Sequence, residues 1–255
     1  MASGLKTAVS YSLPSYQLGF CGPQELKSKN VLGAFAAGQK IEAEKVKEVL
    51  KQFEAPYPYF KLIAKSNDLD DPFDEKVVKA MWIGNSLLEN VRTQNLRKMV
   101  ITDFVKPSLL SPSEAKDRAE KIPDGAVPHH SFHVLILGPV SGRVDLKGPL
   151  LDLCRIGWGK VTKATPARIA SQSDAGGSNK LQVISKPLIL DKKMRLGEDV
   201  KREIGWNKKI VPKVKDGDWI SFHWGEACAV LNNQEVKDLE YYTQKTINLV
   251  NARNK

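Results

Sequence analysis

The spacing of hydrophobic positions predicts helices in the first half of the chain. A helical repeat is clearest within residues 31–54, where "IEAEKVKEVLKQF" has an apolar residue every three or four positions. Pro56 and Pro58 interrupt this repeat, and "FKLIAKSN" predicts a short helix beyond them. A further helix is expected over 94–106. Residues 1–30 have no clear period and are expected to be irregular.

Two helix starts carry capping signals. Asp71 precedes Pro72, which suits the N-cap and the first turn of a helix. Ser111 precedes Pro112, and Glu114 follows three residues after the serine, which is the spacing of a capping box. We therefore expect helices to begin at both places, in a mainly helical region of about 125 residues.

The pattern then becomes that of strands. "HHSFHVLILGPV" predicts one strand, and "CRIGWGKVTKA", "KLQVISKPLIL" and "DWISFHW" predict three more. "ARIASQSDAGGSNK" is expected to be a hairpin loop, and "NNQEVKDLEYYTQKTINLVNA" a C-terminal helix. The predicted fold class is α+β. Residues 1–148 form a mainly α-helical domain that ends in the histidine-bearing strand. Residues 149–255 form a small β-barrel with a C-terminal helix.

Composition limits the class of protein. The chain has 255 residues, of which 42% are hydrophobic and 27% charged, as in ordinary globular proteins. It has no apolar run of eighteen residues, so no membrane span is expected. The three cysteines are too few, and odd in number, for a disulfide scaffold, which indicates reduced thiols and a cytoplasmic protein. The net charge of +10 comes from scattered lysines and arginines, which favours a solvated surface over a nucleic-acid site.

Three of the four histidines lie within five residues: His129, His130 and His133. On the predicted strand, His129 and His133 share a face but stand roughly 13 Å apart, too far for one metal ion unless the backbone bends. Two interpretations remain open for this cluster. The histidines bind a metal or another ligand, or they are packed and hydrogen-bonded at a domain interface.

Cys154 and His223 form a second candidate pair. The cysteine is expected at the start of one strand and the histidine at the end of another, so a small barrel could bring them together. A thiolate and an imidazole suit iron, nickel or zinc, and they also suit a nucleophile with its base. Cys21, in the turn "LGFCGP", and Cys228, between two alanines, are expected to be buried thiols.

The C-terminal part carries two spaced motifs. Cys154 is followed, after four residues, by Gly-Lys-Val, and the turn "VKDGD" leads through a hydrophobic strand to "HWGEA". In order and spacing these motifs resemble the HypC (HypC/HupF) family of nickel–iron hydrogenase maturation chaperones. The residues of the match are Cys154, Gly159, Lys160, Val161, Val214, Lys215, Gly217, Asp218, Ile220, His223, Gly225, Ala227 and Leu231.

The resemblance implies a small OB- or SH3-like barrel that holds iron, alone or with cyanide and carbonyl ligands, while nickel or zinc is less favoured. Cys154 would bind the iron and His223 would support it. Trp158, Trp219 and Trp224 would wall the site against water. The implied partners are HypD-like maturation proteins or the hydrogenase large-subunit precursor. In HypC proteins, however, the cysteine follows the initiator methionine, whereas here it is internal, and Trp158 replaces the usual proline.

Three other segments resemble an uncharacterised bacterial and archaeal family of unknown function: "LGFCGP", "PYPYFKLIAKSNDLDDPFDEKVVKAMWIGN" and "PHHSFHV". The leading hypothesis is a non-enzymatic hydrogenase maturation protein that binds an iron centre, or its assembly partners, through Cys154 and His223. One alternative is a metal- or cysteine-dependent enzyme acting on a one-carbon ligand precursor, with the three clustered histidines completing its site. A second alternative is a basic nucleic-acid-binding barrel.

Overall fold

The computed structural model describes residues 3–106, 109–165 and 179–253. Within these ranges the α-helices are α1 (Ser3–Gln17), α2 (Leu26–Ala36), α3 (Ala43–Leu50), α4 (Pro56–Ser66), α5 (Glu75–Trp82), α6 (Thr93–Asp103), α7 (Pro112–Glu120), α8 (His130–Phe132), α9 (Pro149–Cys154) and α10 (Asn233–Arg253). A 3₁₀ helix covers Ser86–Asn90 and a π-helical turn covers His133–Leu137. The strands are β1 (Gly157–Thr165), β2 (Lys180–Ser185), β3 (Leu188–Leu190), β4 (Met194–Leu196), β5 (Val200–Gly205), β6 (Trp219–His223) and β7 (Glu226–Leu231).

The α+β class and the helical first half are confirmed, but the expectation of an irregular N-terminus is wrong. Helices α1 and α2 occupy most of it. Helix α1 has no polar stripe because it is buried on nearly all sides. Two of its serines bond locally: the hydroxyls of Ser10 and Ser15 donate to the carbonyls of Thr7 and Ser12. A helix buried all round lacks the amphipathic period by which helices are recognised.

The two predicted helix starts have different outcomes. The capping box at Ser111 is present, with reciprocal hydrogen bonds between Ser111 and Glu114. The start at Asp71 is wrong, since α5 begins at Glu75 and the side chain of Asp74 accepts from the amide of Lys76. Asp71 instead accepts from the amide of Phe73 and shapes the turn before the helix. Both aspartates offer the same short-range cap, so the local pattern alone does not select between them.

The five main strands form one sheet in the order β1-β2-β5-β7-β6, and it closes because β1 also pairs with β6. Strands β3 and β4 pair separately. The predicted turn before β6 is confirmed, with Gly217 at a φ of 90° and its amide bonded to the carbonyl of Val161. The expected hairpin loop after β1 lies almost wholly outside the described residues. The C-terminal helix is confirmed as α10.

The main hydrophobic core joins both halves of the chain. It includes residues of α1 and α5 together with Ile156, Trp158 and Leu231 of the sheet region and Leu239 of α10. A smaller core fills the inside of the sheet. The division at residue 148 stays a prediction, and the main core extends across it. No helix in the described part of the chain is long and apolar enough to span a membrane.

The expected strand at 129–140 is wrong. His130–Phe132 is helical and continues into the π-helical turn His133–Leu137. His129 caps this segment, since its Nδ1 accepts from the amide of Ser131 at 3.3 Å. The rings of His130 and His133 therefore lie near each other, with centroids 6.2 Å apart. The separation of roughly 13 Å expected for a strand does not apply.

Cys154 differs from expectation in its setting. It ends helix α9, three residues before β1, and does not begin a strand. Arg155 and Ile156 follow it, are fully buried and lead directly into β1. Cys228 lies in strand β7 and is buried, as expected.

Candidate metal centre

Three side chains that could hold a metal ion meet at one point: His130, Cys154 and His223. One ligand atom from each lies within 4.8 Å of the others. They come from α8, from the end of α9 and from the end of β6. All three residues are buried, with exposed fractions of 5%, 8% and 1%. The centre therefore forms where the helical half packs against one end of the sheet.

Backbone carbonyls fix the tautomer of both histidines. His223 Nδ1 donates to the carbonyl of Tyr11 at 2.7 Å, and His130 Nε2 donates to the carbonyl of Cys154 at 2.9 Å. A carbonyl oxygen only accepts, so these nitrogens carry the hydrogens. The opposite nitrogens, His223 Nε2 and His130 Nδ1, keep free lone pairs. Both are buried and have no hydrogen-bond partner among the described residues.

This arrangement is the one that metal-binding histidines adopt, with one ring nitrogen held by a carbonyl or carboxylate and the other facing the ion. Its chemistry is also suitable for a metal. Two neutral imidazoles and one thiolate form a set that suits iron, nickel, copper or zinc. Three protein ligands leave at least one position for another ligand, as in catalytic zinc sites and not in closed structural ones.

Burial sets the charge of each group before a metal binds. It lowers the pKa of His223 to about 4, and it lowers the pKa of His130 well below its usual value, helped by the nearby His223 and His133. Burial raises the pKa of the Cys154 thiol well above its usual value. At neutral pH the histidines are therefore neutral and the thiol is protonated. A metal ion would release the thiol proton on binding.

A cavity of about 40 Å³ adjoins the three ligands. Since a buried water needs roughly 10–15 Å³ of such volume, the cavity has room for a few small molecules only. Its walls are mainly apolar and come from seven segments of the chain. They include Phe20, Cys21, Met81, Trp82, Val140 and Trp224. A ligand on the metal would thus enter a small and largely apolar space.

Two tryptophans flank the histidines. The ring of Trp82 lies 4.6 Å from that of His130 and 5.7 Å from that of His223, and it stacks on Tyr11 at 5.4 Å. Trp224 follows His223 directly, with ring centroids 6.3 Å apart, and it packs against Phe20 at 4.7 Å. Trp82 and Tyr11 were not singled out in the sequence, because their roles depend on contacts between distant segments.

Only one of the three tryptophans expected to wall the site does so. Trp224 lines the cavity, whereas Trp158 and Trp219 do not. Trp158 is nine-tenths buried, and the guanidinium of Arg155 lies 5.5 Å above its ring. Trp219 begins β6, and His223 ends it, so the two residues are at opposite ends of one strand.

The histidine cluster contributes one residue, and not three, to the candidate metal group. His129 caps α8 and packs against Tyr242 at 5.7 Å. His133 Nδ1 is hydrogen-bonded to the hydroxyl of Tyr59 at 3.1 Å, although His133 also lines the cavity. Neither residue belongs to the three-residue group, so the ligand roles expected for them are not supported. His130 thus belongs to a group that could hold a metal ion, whereas His129 and His133 are packed and hydrogen-bonded.

The other motif residues shape the sheet and not the centre. A Cβ on Gly159 would lie 2.6 Å from the carbonyl oxygen of Ile184, so only glycine fits there. Lys160 is exposed on β1. Asp218 closes the turn at Gly217 by accepting from the amide of Lys215. These residues lie before β6 or on β1, away from the end of β6 that carries His223.

The turn after His223 is different because it supports the centre directly. Trp224 and Gly225 form the two-residue connection between β6 and β7, and their φ values are 51° and 78°. Two positive φ values match a type I′ hairpin turn, in which a bulky residue is unusual. The amide of Trp224 is bonded to the carbonyl of Leu153, the residue before Cys154. The strained turn thus joins the two elements that carry His223 and Cys154.

Cys21 lies in the turn after α1 and lines the same cavity, but it is not part of the three-residue group. Burial raises the pKa of its thiol, while Ser15 and Arg143 act to lower it. The neighbouring Gly22 is held by the side chain of Glu54, which also forms an ion pair with Arg143. The expectation of a buried thiol in a turn is met only in part, since Cys21 is half-buried.

Comparison with known proteins gives one match. The model of a family of unknown function, DUF6390, matches residues 1–255. No curated protein and no solved structure matches the chain at a significant level. The description of the family names no activity, so the site itself must support any functional conclusion.

Proposed function

The chain belongs to the DUF6390 family, and we propose that it binds a transition metal ion through His130, Cys154 and His223. The observation that carries this proposal is the pair of orphaned lone pairs. His130 Nδ1 and His223 Nε2 are buried and lack partners among the described residues. One ring nitrogen of each histidine and the Cys154 thiol lie within 4.8 Å of one another. An unsatisfied buried acceptor costs roughly 1–3 kcal/mol, and a metal ion would satisfy both at once.

Iron is the first candidate for the ion, with nickel and zinc after it. The set of two imidazoles and one thiolate suits all three metals. The resemblance of the C-terminal part to HypC proteins favours iron. Two features agree with that resemblance: Cys154 lies beside His223, and the closed sheet is followed by a C-terminal helix. Metal identity therefore rests on the resemblance, and metal binding rests on the geometry.

Within this proposal, the chain acts as an accessory protein of nickel–iron hydrogenase maturation. It binds the iron centre with its diatomic ligands, and the small apolar cavity supports this because it offers such ligands a water-poor space. Cys154 is only 8% exposed, so passing the iron to a partner requires the cavity to open. A HypD-like protein or the large-subunit precursor would have to promote that opening.

An enzyme is the second candidate, and the open position on the metal favours it. A metal held by three protein ligands beside an enclosed cavity can activate a small substrate or a bound water. A one-carbon ligand precursor would fit the available volume of about 40 Å³. Turnover by the purified, metal-loaded chain without partners would favour this candidate over the accessory role.

Metal binding is tested first. The full chain is purified anaerobically, loaded with Fe²⁺, Co²⁺, Ni²⁺ or Zn²⁺, and analysed for metal content. We expect one ion per chain, and we expect Cys154→Ser and His223→Gln to lose it. Cys228→Ser is the matched control because Cys228 is a buried thiol that does not line the cavity. A parent chain without metal, or equal retention in all variants, would refute the site.

The maturation role is tested by infrared spectroscopy. The chain is produced in a host that expresses the hydrogenase maturation proteins, beside Cys154→Ser. Cyanide and carbonyl bands in the parent, absent from the variant, are expected. If the parent holds iron but shows no such bands, metal binding stands and carriage of the diatomic ligands is wrong.

A further inference from the structure

Two residues that line the cavity beside the candidate ligands carry hydrogen-bond donors that have no acceptor. Trp82 Nε1 and Trp224 Nε1 are buried and lack partners within the described part of the chain. Both tryptophans line the cavity that His130, Cys154 and His223 also line. An indole N–H only donates. The residues around this small space thus include two with unsatisfied donors and two histidines with unsatisfied lone pairs.

These four atoms are half of the buried side-chain polar atoms that lack a partner in the described structure. The others belong to Ser12, Tyr16, His129 and Ser185. Native proteins hydrogen-bond most of their buried polar groups, so this concentration around one cavity needs a physical reason. A metal cation would satisfy the histidine lone pairs but not the indole donors. The donors require a second occupant that accepts hydrogen bonds.

The charge of the centre points to the nature of this occupant. A divalent ion with two neutral imidazoles and one thiolate keeps a net charge of +1. That charge would be buried among mainly apolar residues, where an uncompensated charge is costly. The carboxylate of Glu54 also lines the cavity, but it is engaged by Arg143 and by the amide of Gly22. An anionic ligand on the metal would neutralise the centre.

The size of the cavity limits this ligand. About 40 Å³ accommodates a few ligands of the size of water or a diatomic ion and excludes most metabolites. The ring of Trp82 contacts both histidines, and Trp224 adjoins His223, so the two indoles stand beside the proposed metal position. A ligand bound to the metal through one end would keep its other end free to accept from them.

We propose that the metal of this centre takes a small anion of the cyanide or azide type, and that Trp82 and Trp224 donate hydrogen bonds to its far end. This inference rests on the proposed metal site and adds a preference to it. Carbon monoxide is uncharged and a weak acceptor, so it gains little from the two donors. The centre would therefore select anions over neutral diatomic molecules.

The probe is azide, titrated into the Co²⁺-loaded full chain and followed by visible absorption and by the infrared azide stretch. Saturable binding of one azide per metal is expected. Trp82→Phe and Trp224→Phe are each expected to weaken azide binding about tenfold or more, since each removes a hydrogen bond to a charged acceptor. They should also shift the azide stretch, a change that loss of packing alone would not produce.

Trp219→Phe is the matched control, because Trp219 is an indole outside the cavity. It should leave both the affinity and the infrared band unchanged. Co²⁺ content is measured for every variant, so failure of the metal site is separated from failure of the anion site. Trp82 lies in the main core, and Trp224→Phe keeps the test available if Trp82→Phe does not fold.

Three results would overturn the proposal. One is a Co²⁺-loaded parent that binds no azide, with binding appearing only in Cys21→Ser, which would mean that Cys21 supplies the second negative charge. Another is azide binding that is equal in the parent and in both tryptophan variants. Equal affinity for carbon monoxide and cyanide in the Fe²⁺-loaded chain would contradict the selection of anions.

Discussion

All four histidines of the chain are buried, and this predicts unfolding in mild acid. Burial lowers the pKa of His129 to about 3 and those of His133 and His223 to about 4, and it lowers the pKa of His130 well below its usual value. In the unfolded chain each would titrate near 6.5. Between about pH 6.5 and 4 the unfolded chain therefore binds more protons than the folded one, so stability falls as the pH falls.

The size of the effect follows from proton linkage. At pH 5.5 each histidine lowers the free energy of unfolding by about 1.4 kcal/mol, and at pH 5 by about 2 kcal/mol. The four histidines together lower the free energy of unfolding by roughly 6 kcal/mol at pH 5.5 and 8 kcal/mol at pH 5. A domain is typically stable by about 5–15 kcal/mol. We therefore expect the metal-free chain to unfold with a midpoint near pH 5.

Urea unfolding at a series of pH values, followed by circular dichroism and tryptophan fluorescence, measures this slope. Near pH 5 the free energy of unfolding should fall by about 5.5 kcal/mol per pH unit, which corresponds to four protons. His133→Gln is the matched variant, because its amide can still bond Tyr59. In this variant the number of protons taken up on unfolding should fall from four to three. A folded chain below pH 4, or a slope of one proton or less, would refute the reasoning.

Three further substitutions are predicted from local geometry. Gly84→Ala should destabilise the fold by about 3 kcal/mol or more in urea unfolding, since φ is +100° and a Cβ would lie 2.2 Å from the ring of Tyr242; an unchanged midpoint would contradict this. Arg155→Ala should lower the free energy of unfolding by about 3 kcal/mol, because it leaves the Asp152 carboxylate without a guanidinium that is only 1% exposed. A thermal midpoint within 2 °C of the parent would argue against this. Trp224→Asn should raise the free energy of unfolding by about 1 kcal/mol, because asparagine tolerates the positive φ of this turn better. It should nevertheless speed the removal of bound metal by a chelator, and equal removal rates in parent and variant would show that the indole does not close the cavity.

Local signals in the sequence were sufficient where the decisive contacts are local. The capping box at Ser111 and Glu114 depends on atoms three residues apart, and it formed as predicted. The C-terminal helix shows its apolar face in the sequence, and Leu239, Thr243 and Ile247 are indeed buried. The pairing of Cys154 with His223 was predicted from the order of two strands and from a family resemblance. Their proximity agrees with that prediction, although Cys154 ends a helix.

The histidine segment shows why other elements were predicted wrongly from the sequence. "HHSFHVLILG" has the aromatic and branched residues of a strand, and its helical form depends on distant partners. The hydroxyl of Ser131 meets that of Thr243 at 3.2 Å, and the ring of His130 lies against Trp82. Those contacts join residues that are 48 and 112 positions apart, so the periodicity within the segment cannot predict them. Because the segment was predicted as a strand, the distance expected between the histidines was wrong, and the place of His130 in the candidate metal group was missed.

The unpartnered polar atoms of the candidate site bear on how a bound ligand would be held and released. The orphaned atoms of His130, His223, Trp82 and Trp224 each forgo roughly 1 kcal/mol or more. An occupant that satisfies them would add stability that grows with its concentration relative to Kd. A metal that stays bound would stabilise the protein permanently, whereas a protein that transfers its metal would lose this stabilisation when the metal leaves. A carrier would therefore need its cavity to open. The strained turn at Trp224 is bonded to Leu153 beside Cys154, so a change in this turn would affect both elements that carry the candidate ligands Cys154 and His223.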